Sequence, residues 1–149
     1  MSDFEVDFPA DFLKELLETD VDELCTEALR QAAPIMERSM KRSARAAVLH
    51  EGESDMVNSI KASDVKKTKD GDAYILRVGP TGESTHIYIR KKGKPRKEKV
   101  SNALKAVWKE YGIAGRQPAR PFLANATRNA EETVLAKMQE VYKKRTGEE

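Results

Sequence analysis

Thiols and imidazoles, the side chains that most often carry nucleophilic or metal chemistry, occur three times in this sequence, as Cys25, His50 and His86. No C-x-x-C, H-E-x-x-H, G-x-S-x-G or G-x-x-x-x-G-K-[ST] pattern occurs. The usual signatures of zinc sites, serine hydrolysis and phosphate loops are therefore missing. Cys25 falls among apolar residues at helical spacing and is expected to pack as a small hydrophobe. His86 alternates with Tyr88 in a strand-like run, where a surface or partly satisfied imidazole is expected. Asn125-Ala126-Thr127 fits a glycosylation acceptor but lies inside a helical pattern with no secretion signal ahead of it. The chain is expected to have no catalytic residue, no cofactor and no metal.

The remaining chemistry is electrostatic. The run RKKGKPRKEK holds seven bases (Arg90, Lys91, Lys92, Lys94, Arg96, Lys97 and Lys99) against Glu98 alone. Bases without interleaved aromatic residues suit phosphate contact rather than base stacking. These seven are candidate contacts to passing DNA or to an acidic partner. At the other pole, Met1 to Leu29 carries ten acids against Lys14. Opposite poles on one small domain can serve association between copies, and their neutral alternative is two solvated segments.

The elements that hold these poles can be read from periodicity. With 149 residues, 39% hydrophobic and 35% charged, the chain suits one domain with a modest core. A single cysteine rules out an internal disulfide and fits a reducing cytosol. The acidic start MSDFEVDFPADF lacks the features of a signal peptide, and no apolar run is long enough to span a membrane. The expected layout is an acidic leader over residues 1–20, one domain over 21–145 with a mobile basic loop at 90–99, and a tail over 146–149.

Phe12, Leu13, Leu16 and Leu17 suggest a short, loosely held helix in the leader. Asp20 followed by Glu23 resembles a capping box, and Val21 to Met40 repeats at helical spacing, with a kink or a break expected at Pro34. NSIKASDVKKT reads as a strand, Asp70-Gly71 as a hairpin turn, and AYILRVG and STHIYIR as two further strands of a meander. Val100, Ala103, Leu104, Val107, Trp108 and Tyr111 form an apolar helical stripe ended by Gly112. A last helix starts near Phe122, where Pro121 suits the first turn and Pro118 stiffens the approach. The fold class is thus α+β: a small antiparallel sheet of three to four strands, packed by a long N-terminal helix and two C-terminal helices.

Two stretches together resemble a known family. SDMVNSIK resembles a T-G-x-L-x-x-S-I-K motif leading into the first strand, with Asp55 where glycine is usual. KEYGIAGRQPARPFLANA resembles an E-[FY]-G-T…P-A-R-P-F-L-x-x-A signature, carried by Glu110, Tyr111, Gly112, Pro118, Ala119, Arg120, Pro121, Phe122, Leu123 and Ala126. Both are similar to the gene-product-ten-like family of HK-97-type tailed phages. The resemblance implies a virion protein that assembles as a ring, typically of six, at the head–tail interface. There it would complete or terminate the tail and join it to the DNA-filled head. Its partners would be its own copies, the tail tube, neck or connector proteins and, weakly, the genome; no membrane is implied. It would reside in the virion, and in the host cytoplasm during assembly. A sequence-nonspecific DNA-binding module, a transient chaperone or adaptor and an enzyme remain open alternatives. Arg120 is expected to bond carbonyls or a carboxylate near Glu110, and Phe122 to anchor the last helix on the sheet.

Overall fold

A computed structural model describes residues 20–48, 54–71, 73–88 and 92–147. The leader up to residue 19 lies outside the described residues.

Helix α1, Val21–Ala47, starts where expected: the Asp20 carboxylate accepts the Glu23 N–H at 3.2 Å, and Asp22 and Glu23 place negative charge in the first turn. The helix is not interrupted at Pro34 but runs through it. Pro34 and Arg30 are both exposed, so the carbonyl freed by the missing N–H can be met by water. Helix α2, Ser54–Asn58, is a single short turn. It takes the start of the segment expected to be strand, and Met56 and Val57 are buried beneath it.

Among the described residues six short strands follow: β1 Ile60–Ala62, β2 Lys66–Lys67, β3 Tyr74–Ile75, β4 Val78–Pro80, β5 Glu83–Tyr88 and β6 Arg96–Ser101. They do not form the expected meander. β1 pairs with β4 and β2 with β3, so the first four make one long hairpin. Its ladder breaks at Ser63, whose hydroxyl accepts the Arg77 N–H at 2.9 Å while its own N–H reaches the Arg77 carbonyl at 2.7 Å. The turn falls at Asp70-Gly71, where Gly71 has φ +78°.

β5 pairs antiparallel with β6 in unbroken register from Glu83↔Ser101 to Tyr88↔Arg96. Residues 96–99 of the basic run were expected in an irregular loop, and they are strand instead. Gly93 and Pro95 sit in the approach to β6, outside its ladder, so neither disrupts pairing. The bases themselves stay exposed, so the strand forms without desolvating them. Arg90 and Lys91 lie outside the described residues.

Helix α3, Asn102–Tyr111, follows β6 directly, capped by Ser101, whose hydroxyl accepts the Leu104 N–H. Helix α4, Phe122–Thr146, returns antiparallel along α1. Near one end of this pair the Ser39 hydroxyl donates to the Ala126 carbonyl at 2.9 Å. At the other end the Arg145 guanidinium reaches Glu23 and Glu27. The carboxylates, Glu27 first, favour the charged guanidinium and raise its pKa.

The two helices meet largely through alanines (Ala28, Ala32, Ala44, Ala126, Ala130), whose small side chains allow close approach. Of the apolar stripe expected on α4, Leu135 points outward and Leu123, Val134 and Met138 are half-buried. The core gathers where α1, α2, α3, β1 and α4 converge, around Met40, Ala44, Met56, Val57, Ile60, Ala106 and Phe122. Phe122 therefore anchors α4 in a cluster drawn mainly from helices, to which the strands contribute Ile60 and the partly buried Val78.

Candidate assembly surface

The signature residues converge on the junction between α3 and α4. Pro121 precedes the first turn of α4 and offers no side-chain cap. Two amides left open by helix geometry are instead taken by Glu110, whose carboxylate accepts Leu123 N–H at 2.8 Å and Ala124 N–H at 3.2 Å. A buried carboxylate against a helix N-terminus also meets the positive end of the helix dipole. The carboxylate near Arg120 is therefore engaged by the start of α4. Arg120 contributes backbone bonds, its N–H to the Lys109 carbonyl at 2.7 Å and its carbonyl to the Phe122 N–H at 2.8 Å.

Between Glu110 and Phe122 the chain makes a closed loop. Ile113 and Gln117 exchange backbone bonds of 2.8 and 2.9 Å. The loop folds back so tightly on Gly112, at φ +76°, that a Cβ there would stand 2.7 Å from Ala119 N and Gln117 O. A side chain at this position would clash with backbone and strain φ as well. Pro118, Ala119 and Pro121 are exposed on the loop, and Leu123 is half-buried. Removing the cap tests its strength. Glu110→Ala should destabilise the subunit by about 2 kcal/mol, since charge-assisted bonds to two amides are lost. Thermal melts read the loss, and faster hydrogen exchange at Leu123 and Ala124 would localise it. Glu110→Gln, which keeps an acceptor, should cost less.

Helix α3 has an exposed apolar side and a buried polar one. Its buried side is Asn102, Lys105, Ala106, Lys109 and Glu110, whereas Leu104, Val107 and Tyr111 are 43%, 47% and 77% exposed. Of the apolar stripe, Ala103, Leu104, Val107 and Tyr111 face outward, Trp108 is half-buried and Val100 is buried. Each inward polar group whose partners are resolved has a defined task. Asn102 donates to the Thr81 carbonyl at 2.8 Å and accepts from the Ser84 hydroxyl. The Lys105 ammonium donates to the Ser84 hydroxyl and, at 2.9 Å, to the Thr85 carbonyl, fastening α3 to β5. Trp108, half-buried, leans on His86, which packs edge-on against Tyr88 at 4.6 Å between centroids. His86 is thus part of an aromatic seam. The sequence did hold a signal for this arrangement: Asn102, Lys105, Lys109 and Ala106 also recur at helical spacing, on the opposite side from the stripe.

Beside this face lies the basic ribbon. Arg96, Lys97 and Lys99 are exposed on β6, and Lys92 and Lys94 are exposed before it. Arg96 is paired with Glu98 along the strand. Tyr111 and the 113–118 loop line a shallow, open groove at the far end of α3. Among the described residues no group of three or more histidine, cysteine, aspartate or glutamate side chains could hold a metal. No described helix is long and apolar enough to cross a membrane.

Residues 10–112 match the model of the HK97-gp10-like family, described as "Bacteriophage HK97-gp10, putative tail-component". The match covers more than half of the 149 residues and ends at Gly112, short of Pro118–Ala126. No curated protein and no solved structure matches the chain.

Proposed function

The chain belongs to the HK97-gp10-like family of bacteriophage tail components, and from that premise we propose that its copies close into a ring at the head–tail interface. Six copies is the number the family resemblance suggests. Such a ring would complete or terminate the tail and join it to the DNA-filled head. The observation that carries this reading is the outward apolar face of α3. Leu104, Val107 and Tyr111 stand on one side of a ten-residue helix whose other side is committed to polar bonds. Exposed apolar groups gathered on one face of a small domain mark an interaction surface.

Charge favours a head-to-side contact over a self-complementary one. Two basic ribbons brought together about a two-fold axis would repel, whereas a ribbon meeting the acidic pole of the next copy would attract. A heterologous contact of that kind repeats until the ring closes.

Purified protein should form a discrete ring by mass measurement and negative-stain imaging. Labelled antibody should mark the neck of intact particles. A protein that stays monomeric and is absent from purified virions would overturn the reading in favour of a transient adaptor.

Lys92 and Lys94, exposed at the approach to β6, are our candidates for weak contacts to genome phosphates. Such contacts are weak and screened by salt. Replacing both with serine should leave folding within about 0.5 kcal/mol per site, while lowering the yield of joined, infectious particles in a complementation assay. Wild-type yield would reduce them to solvated charges.

A further inference from the structure

Two helices of this chain repeat one pattern. On α3 it is Leu104, Val107 and Tyr111, and on α4 it is Leu135, Met138 and Tyr142. The spacing i, i+3, i+7 sets each trio along one side of its helix over about 10 Å. Leu135 is exposed, and Met138 and Tyr142 are half-buried, so the α4 trio also reaches the surface. Packing within the subunit does not use Leu135, because α4 buries Phe122, Ala126, Ala130 and Val141 on another side.

A heterologous contact joins two different surfaces of the same chain, and these trios supply two. Each has a leucine at one end, a mid-sized apolar side chain in the middle and a tyrosine at the other end. Laid antiparallel, they set leucine against tyrosine at both ends and Val107 against Met138. Rows of this spacing interlock as ridges into grooves. Leu135 would then meet Tyr111 and the shallow groove that the 113–118 loop makes beside it.

Charges at the ends choose the direction. Arg116 is exposed beyond Tyr111, and Glu83 is exposed at the start of α3, paired with Ser101 across the ladder. On α4, Glu131 is exposed one turn before Leu135, and Lys143 is exposed next to Tyr142. None of these four makes an ion pair with a described residue. The antiparallel arrangement brings Arg116 to Glu131 and Glu83 to Lys143, whereas the parallel one sets like against like. Two copies of α3 packed on each other would also match Arg116 with Glu83. That contact stops at two copies and leaves both Leu135 side chains in water.

We infer that the outward trio of α3 in one copy packs antiparallel on Leu135, Met138 and Tyr142 of α4 in the next copy. This rests on the reading above that copies associate through α3, and it names the surface that receives α3. The apolar trios exclude water at the centre of the contact, and the charges at its rim fix its direction.

The test mixes two full-length variants, each disabled on one surface. Val107→Asp spoils the α3 trio and Leu135→Asp the α4 trio. Both positions are exposed, so each variant should keep the melting curve of the free subunit. Alone, each should sediment as a monomer. Mixed, each offers the surface the other lacks, and they should form a one-to-one heterodimer that cannot grow into a ring. A covalent trap catches a contact too brief for sedimentation. In a Cys25→Ser background, an Arg116→Cys preparation is mixed with a Glu131→Cys preparation and treated with a short bismaleimide. Docked copies hold these thiols at an effective concentration near the millimolar range. At about 10 µM protein, cross-linking should therefore run on the order of a hundredfold above a control with Lys69→Cys in place of Arg116→Cys. If wild-type rings form but Leu135→Asp also forms them, or the cross-link equals the control, the pairing is wrong and the ring stands. If the heterodimer and the cross-link appear while the wild type never closes, the pairing stands and the ring is wrong. Dimers of Leu135→Asp alone would overturn the pairing in favour of α3 meeting α3, and a wild type that neither closes nor cross-links overturns both readings.

Discussion

Phe122→Ala is expected to be the most damaging single substitution to folding, costing about 3–5 kcal/mol. Phe122 is 2% exposed and is, with Met56 and Ile60, among the largest fully buried side chains of the described residues. It occupies the first position of α4 and packs among Met40, Ala44, Ala106 and Ala126. The alanines around it cannot swell to fill the space, and the core at this junction is thin because α1 and α4 meet mostly through small residues. The resulting cavity persists, and cavity cost adds to the lost transfer energy. A domain of this size is typically stable by about 5–15 kcal/mol, so a large share would be lost and the melting temperature should fall by roughly 10–15 °C. Leu135→Ala, at a side chain 58% exposed, should leave the melting temperature nearly unchanged. Equal melting of the two variants would show that Phe122 is not the anchor of this core.

The local rules were legible where a residue's effect stays near it in the chain. Asp20 announced the start of α1, Asp70-Gly71 the hairpin turn and Pro121 the first turn of α4. Gly112 announced the end of α3 as well, although the need for glycine there is set mainly by residues 117–119 folding back onto it. Partners chosen across distance were not legible. Nothing local says that Glu110 caps a helix thirteen residues further on. Likewise, nothing in RKKGKPRKEK says that its second half will find Thr85 and Ile87 across a ladder, because strand pairing depends on the partner as much as on the segment. A kink or two abutting helices are expected at Pro34 because a bond is lost there, and of these the division into two helices does not occur. The surrounding α1–α4 packing holds the helix through it, with buried Ala32 and Ala33 just before it.

The face of α3 failed for a different reason, and it leads to the prediction with the largest functional effect. Hydrophobic periodicity identifies a stripe that must leave water, but it does not say whether the cover comes from the same chain. In α3 the chain covers the polar side instead, using Asn102 and Lys105 to fasten β5. The apolar side is left exposed, and in the proposed ring a neighbouring copy would cover it. Val107→Asp sits near the middle of that face, between Leu104 and Tyr111, and is 47% exposed in the isolated subunit. In the free protein the aspartate would remain hydrated, so folding should change by no more than about 0.5 kcal/mol beyond the small loss of helix propensity. In an assembled interface the same carboxylate would be buried opposite apolar groups without a partner, a penalty of several kcal/mol per contact. A closed ring repeats each contact in every copy, so the penalty multiplies around it. Val107→Asp should therefore leave the melting curve of the free subunit intact, hold the protein at monomer mass and abolish production of joined particles. Leu104→Asp should act in the same direction, and Val107→Ala should weaken assembly without abolishing it. Rings of normal mass from Val107→Asp would mean that the outward face of α3 is not where copies meet.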